Sequence, residues 1–331
     1  MNSGRVFEHK HFAHCESGVV SSLLTHHGLS LSEPMVFGLA GGITFAYLPF
    51  IKINGMPLMS YRMPPRSIIR GVQRRLGIRF QTKTYRDREE AQADLNRFIR
   101  DGQAVGLQTS VYWLPYFPPE MRFQFNAHNL IVFGRGGDEF LISDPVFEQV
   151  VKIMPEDLQN ARFARGMLAP KGYLYYPVFI PPTIDLRAAI RKSIGKTTKM
   201  MLHGPVIFGV RGIYFMAKRI EEMGRRKDPR YVKLILGHIV RMQEEIGTGG
   251  GGFRFIYAAF LQEASDLLQQ PLLSEASVKM TEAGDLWRQF ALACARVIKG
   301  KTDQIDLRPI VDLLRQCGDA EKKVYQMLAS G

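Results

Sequence analysis

The stretch His9-Lys10-His11-Phe12-Ala13-His14-Cys15-Glu16-Ser17-Gly18-Val19-Val20-Ser21-Ser22-Leu23-Leu24 sets the terms for the rest of the chain. A polar, histidine-rich entry gives way at Cys15 to a helix with apolar residues Val19, Val20, Leu23 and Leu24. The Cys15 sulfur is therefore expected at a helix N-terminus, where the macrodipole and unpaired backbone N–H groups favour the thiolate. Further on, Ala127-His128-Asn129-Leu130-Ile131-Val132-Phe133-Gly134 and Phe140-Leu141-Ile142-Ser143-Asp144-Pro145 read as adjacent strands. The glycine-containing segment 134–138 between them is hairpin chemistry. One strand carries a histidine at its start, the other an aspartate at its end. Taken singly, Cys15 reads as a structural helix-start residue, His128 as part of a polar rim and Asp144 as an Asp-Pro turn initiator. In this order the three read as a thiol nucleophile, its base and the group that orients the base.

Working outward, 30–34 has helix-start chemistry and 43–48 is β-branched and aromatic, hence a strand. Helical spacing over 67–76, alternation over 77–84, an amphipathic helix over 87–101 and a short strand over 104–110 follow. Residues 112–125 are aromatic and proline-rich, suiting a loop wall beside a site. Strands end near 153, a helix opens at Met154-Pro155, and 171–176 is a last strand. The composition changes at Phe179-Ile180-Pro181-Pro182, and nearly everything beyond reads as helix, roughly over 186–202, 206–223, 229–246, 253–268, 273–299 and 308–329. The expected fold class is α+β over 1–181, followed by an all-α domain over 182–331 that covers the site and shapes an acceptor pocket.

Composition narrows the function classes. The 331 residues are 46% hydrophobic, as in a globular protein, and the first five lack an apolar signal core, which argues against secretion through a cleaved peptide. Three cysteines, Cys15, Cys294 and Cys317, make no disulfide framework and fit a reducing, cytoplasmic compartment. The most apolar region, 200–216, is interrupted by His203, Pro205 and Arg211, which makes it too short to span a bilayer. With Lys218, Arg219, Arg225, Arg226 and Lys227 behind it, peripheral contact with an anionic membrane is one reading; a buried helix pair is preferred. A net charge of +13 speaks for an acidic partner. Nucleic acid is set aside, because no stretch interleaves aromatic and basic residues and no reading motif is present.

Several short sequences carry a family resemblance. His14-Cys15, Ser32-Glu33, Gly38-Leu39-Ala40-Gly41-Gly42, Ala127-His128-Asn129 and Asp144-Pro145 resemble the butirosin biosynthesis protein H family and, more broadly, papain-like cysteine proteins of the C39-like branch. The resemblance continues through 245–254 and 257–264 into the helical domain of that family. It implies a papain-like N-terminal domain and a ping-pong acyltransferase of specialised-metabolite or lipid biosynthesis. The donor it implies is acyl-phosphopantetheine on an acidic carrier protein, with no bound cofactor. On this resemblance Cys15 carries the acyl group as a thioester, His128 deprotonates the thiol and then the acceptor, and Asp144 orients His128. The acceptor is a small-molecule amine or hydroxyl. A thioesterase or peptidase using the same three residues, and a catalytically idle binding protein, are the competing readings. Papain-like enzymes place a glutamine oxyanion donor six residues before the cysteine. Here His9 holds that position, so His9 and His14 are the oxyanion candidates, with His11 a further one.

Other features are weaker. His9, His11, His14 and Cys15 have spacing compatible with zinc, but no acidic cluster or second Cys/His pair stands near, and no metal is assigned. The run Gly247-Thr248-Gly249-Gly250-Gly251-Gly252 lacks the Lys-Ser/Thr ending of a nucleotide-binding P-loop. It reads either as a connector between helices or as backbone N–H groups that, with Arg254, face a phosphopantetheine phosphate or a carboxylate. Gly249, Gly250 and Arg254 are thus candidates for that phosphate. Glu245 and Glu263 are candidates for an acceptor amine. Trp113 and Tyr116, in the aromatic wall, are candidates for an apolar acyl group or the pantetheine arm.

Overall fold

Cys15 does open a helix. In the computed structural model, which describes residues 6–53, 55–226, 228–246, 249–301 and 304–331, helix α1 (Cys15–His26) begins at the cysteine. Its cap is His14, whose Nδ1 accepts from the Ser17 N–H. Then follow α2 (Glu33–Ala40), β1 (Ile43–Ile53), β2 (Met56–Arg62), α3 (Ser67–Leu76), β3 (Arg79–Lys83), α4 (Arg88–Arg100) and β4 (Val105–Thr109). After two short 3-10 turns come β5 (His128–Gly136), β6 (Glu139–Ser143), β7 (Val151–Ile153), α5 (Pro155–Arg162) and β8 (Leu174–Phe179). The rest of the described chain is helical: α6 (Leu186–His203), α7 (Gly209–Arg226), α8 (Pro229–Val240), α9 (Arg254–Leu268), α10 (Pro271–Lys299) and α11 (Arg308–Ser330).

By contacts the chain divides into two units, Met1–Val36 with Ile68–Ile184, and Phe37–Ser67 with Asp185–Gly331. The division is thus not the single cut after Pro181 expected from composition. Residues 37–67 belong with the helices because hydrogen bonds tie them there. The Ser193 hydroxyl donates to the Gly38 carbonyl at 2.6 Å, and the Tyr47 N–H donates to the Ile207 carbonyl at 2.9 Å. The β1–β2 hairpin packs against α6, α7 and α8, so a two-stranded element joins a unit that is otherwise helical.

The first unit is built on an antiparallel sheet in the order β3-β8-β4-β5-β6-β7. The run β5–β6–β7 is the expected meander; β8 inserts between β3 and β4, a pairing across more than sixty positions that local pattern does not reveal. On one face Val105, Leu107, Leu130, Val132 and Leu174 form a dry core with Ala91 and Leu95 of α4 and Leu158 and Ala161 of α5. Side chains alternate along a strand, so Asn129 and Tyr175 fall on the other face, where α1 packs across β8, β4 and β5.

Among the described residues no helix is long and apolar enough to cross a membrane. The apolar stretch 200–216 divides between α6 and α7, with Met201, Val210, Ile213 and Met216 buried. Lys227 of the basic run, Gly247 and Thr248 of the glycine-rich run, and residues 1–5 lie outside the described residues, as do the side chains of Arg225 and Arg226.

Candidate active site

The loop before Cys15 is held by a buried carboxylate. Glu33, the first residue of α2, accepts from the backbone N–H of Ala13 at 3.0 Å and of His14 at 2.8 Å, and from the Ser17 hydroxyl at 3.0 Å. Burial raises the Glu33 pKa, and these donors pull against the shift. Gly18, one turn into α1, sets how near the helix comes to β6. A Cβ there would lie 2.8 Å from Phe12 Cβ and 2.9 Å from Pro145 Cβ, closer than side chains tolerate. The Phe12 N–H reaches the Pro145 carbonyl at 2.7 Å. Small size at Gly18 therefore brings the Cys15 helix against the Asp144-Pro145 turn.

The three residues singled out from sequence converge. His128 Nε2 lies 2.7 Å from Asp144 Oδ2, which leaves Nδ1 as the ring nitrogen for Cys15, the other group that acts on the imidazole. Cys15 and His128 are each only 4% exposed and Asp144 is fully buried. Burial disfavours the imidazolium, but the Asp144 carboxylate, together with Cys15, outweighs it and raises the His128 pKa to about 10. A buried imidazole held between a carboxylate and a thiol is poised as the proton partner of a thiolate.

Asp144 has further support. Its Oδ2 also accepts from the Tyr116 hydroxyl at 2.8 Å and its Oδ1 from the Val146 N–H at 3.2 Å. Tyr116, expected in a substrate wall, is thus a donor to Asp144; it stacks edge-on with Phe147, and the neighbouring Phe117 ring stands edge-on to His128 at 5.5 Å. Trp113 remains 42% exposed. It lines a cavity of about 410 Å³ with Arg88, Tyr112, Gln124 and Arg165, which none of Cys15, His128 and Asp144 lines.

Other expectations are redirected. His9, at the position of the usual glutamine, has both ring nitrogens occupied, Nδ1 by Ser143 Oγ at 2.7 Å and Nε2 by the Phe147 carbonyl at 3.1 Å. It fastens the N-terminal segment to the end of β6. His14 is buried and turned to Ser17, its Nδ1 2.8 Å from Oγ. Arg254 is fully buried, and its guanidinium engages Glu321 at 2.8 and 3.1 Å and the Gly252 carbonyl at 2.6 Å, so it presents no free charge to an anion. The glycine run likewise meets an internal carboxylate: the Gly251 N–H donates to Glu244 at 3.2 Å. Gly249 and Gly250 precede it with positive φ, and Glu245 lies 3.9 Å from Arg241, largely in solvent. Among the described residues no group of three or more His, Cys, Asp or Glu side chains is placed to hold a metal ion.

In sequence Asn129 is no more than part of a shared motif, yet the structure puts its side chain beside the thiol. Nδ2 lies 4.0 Å from Cys15 Sγ, and Oδ1 accepts from the Tyr175 hydroxyl at 2.9 Å. The signal was its place after His128, which alternation sends to the face carrying α1.

A cysteine opening a helix that packs on an antiparallel sheet, with a histidine and an aspartate at strand ends, is the arrangement of a papain-like N-terminal domain. The family model described as butirosin biosynthesis protein H, N-terminal, matches residues 14–145, and a domain of unknown function (DUF4872) matches 156–328. The chain belongs to the butirosin biosynthesis protein H-like family. A solved structure from Bacillus anthracis described as a C39-like peptidase aligns with a TM-score of 0.37 and 14% identity, covering 53% of this chain and 96% of that one. No curated protein matches the chain.

Proposed function

We propose that the protein is an acyltransferase that takes an acyl group from a carrier-protein phosphopantetheine thioester onto Cys15 and passes it to an amine or hydroxyl. The observation that carries this reading is the Cys15–His128–Asp144 linkage, with the imidazole between thiol and carboxylate. Membership of a biosynthesis-protein family supports synthesis over proteolysis. The charge of +13 suits an acidic carrier, since opposite net charges speed encounter.

The chemistry runs in two balanced halves. The Cys15 thiolate attacks the thioester carbonyl, and the tetrahedral adduct collapses with breakage of the pantetheine C–S bond. The departing thiolate takes the proton held by His128. An amine then attacks the Cys15 thioester while His128 accepts its proton, and the Cys15 thiolate leaves as the amide forms. Asp144 holds the ring in place and stabilises its charged form.

Intact mass after incubation with a panel of acyl-carrier thioesters tests this, with wild type beside Cys15→Ala. An adduct of acyl mass on wild type that is absent from Cys15→Ala, and that is discharged by an amine faster than by water, is expected. Discharge by water alone would make the protein a thioesterase, and no adduct with any donor would leave a binding role.

A further inference from the structure

Acyl transfer through Cys15 develops negative charge on the former carbonyl oxygen, and a donor must meet it. The glutamine that normally does so is replaced by His9, whose ring nitrogens are committed to Ser143 and Phe147. One donor is local: the Cys15 N–H stands at the first position of α1, where a helix offers it no carbonyl. The second has to come from another element.

We propose that the side-chain amide of Asn129 supplies it. This rests on Cys15 being the acyl acceptor. The amide's orientation follows from its partners. Ala127 O, 3.1 Å away, accepts and never donates, so the atom facing it is Nδ2. The other end, Oδ1, takes the Tyr175 hydroxyl at 2.9 Å. Of the two Nδ2 protons one is used by Ala127 O, and the second lies on the side of Cys15 Sγ, 4.0 Å away. That separation is too long for a strong bond to sulfur and leaves room for an oxygen carried on the carbon bonded to it. An oxyanion donor works at about 2.7–3.1 Å from the oxygen, not from the nucleophile.

The amide is also rigid, as such a donor must be. Asn129 is 4% exposed. The Tyr175 ring that anchors it is fully buried over the sheet, where a Cβ at Gly106 would lie 2.6 Å from the ring. The bareness of Gly106 lets Tyr175 lie flat enough to hold Oδ1. Asn129 therefore replaces, from the strand after the base histidine, the side-chain donor that other papain-like enzymes bring from the loop before the cysteine.

Two reactions of the same thiol separate this role from a structural one. Iodoacetamide alkylates Cys15 by displacement at a saturated carbon and forms no oxyanion; p-nitrophenyl acetate acylates it through a tetrahedral adduct and needs no carrier. Asn129→Ala is expected to lower acylation by about 10²–10³-fold while the alkylation rate stays at the wild-type value. Tyr175→Phe, which frees Oδ1 and keeps the ring, is expected to lower acylation by about tenfold with alkylation again unchanged. Acylation of Asn129→Ala at the wild-type rate overturns the proposal, as does an equal fall in both reactions, which would assign Asn129 to the thiolate or to the fold. Should Asn129→Ala not fold, Tyr175→Phe decides, and an unchanged acylation rate there overturns it. Wild-type protein that alkylates but never acylates sinks the acyl-acceptor reading itself, an outcome visible before any variant is made.

Discussion

Each unit of the molecule buries an ion pair, and the two are built for different ends. In the second unit Arg254 and Glu321 are both fully shielded and joined by two hydrogen bonds. Glu321 also accepts from Trp287 Nε1 at 2.6 Å, and Arg254 donates to the Gly252 carbonyl. Arginine stays protonated at any pH a protein meets, so this pair is a fixed tie between α9, α10 and α11. In the first unit His128 and Asp144 are also buried and 2.7 Å apart, but the cation is an imidazole and its other neighbour is a thiol. A proton can leave this pair. What separates the two is whether the cation titrates and whether a nucleophile stands beside it, and depth of burial does not distinguish them.

The comparison is broken most directly by removing one member from each. His128→Gln keeps a donor for Asp144 but cannot hold the exchanged proton, and is expected to slow iodoacetamide alkylation of Cys15 at pH 7 by about 10²–10⁴-fold. In Glu321→Gln the Arg254 charge is left buried without its counter-ion, a loss of about 3–5 kcal/mol in urea unfolding, while the folded fraction alkylates at the wild-type rate. Comparable losses of reactivity in both variants would erase the distinction.

A second test sharpens it through pH. The folded-state pKa of His128, about 10, lies above its ordinary value of 6.5, so the native protein holds a proton that the unfolded chain releases. The stabilisation this represents is complete below pH 6.5 and is lost as pH rises through about 10. The difference in urea midpoint between wild type and His128→Gln should therefore shrink over that window. The difference between wild type and Glu321→Gln should stay flat, because Arg254 remains charged throughout. Parallel curves for the two variants would mean that His128 does not exchange its proton in this range.

How far these features could be read from sequence follows from the range of the interactions. Cys15 at a helix start, His128 at a strand start and Asp144 before proline are local patterns, and the structure joins all three. The helices from Leu186 onward also announce themselves by their period, to within a few residues at most ends. Membership of 37–67 in the second unit rests on Ser193 and Ile207, more than 140 positions away, and no local signal encodes it. The same holds for Arg254, read as an anion ligand from its place after a glycine run. Its partner Glu321 is a helical glutamate that in sequence resembles any solvated one. The reading of His9 as an oxyanion donor meets the converse difficulty, since homologous spacing says where a residue stands but not that Ser143 and the Phe147 carbonyl will engage its ring.

The smallest expected effect concerns Tyr116, which marks the boundary between holding a charge and tuning it. Its hydroxyl donates to Asp144 Oδ2, the same oxygen that faces His128. Burial first, and then the neighbouring carboxylate, push the phenol pKa well above its usual value, so the group is a permanent donor. A donor on Oδ2 withdraws charge that would otherwise act on the imidazolium. Tyr116→Phe removes that donor and keeps the ring that packs on Phe117 and Phe147. The Asp144 carboxylate then attracts the imidazolium more strongly, and the His128 pKa is expected to rise further, by about one unit or less. The imidazolium gives up its proton less readily, so acyl transfer slows by up to about tenfold. NMR titration of the His128 ring in wild type and Tyr116→Phe reads this directly. A fall in the pKa would show that Tyr116 acts by excluding water from the pair, and would move it from the electrostatics of the site to its packing.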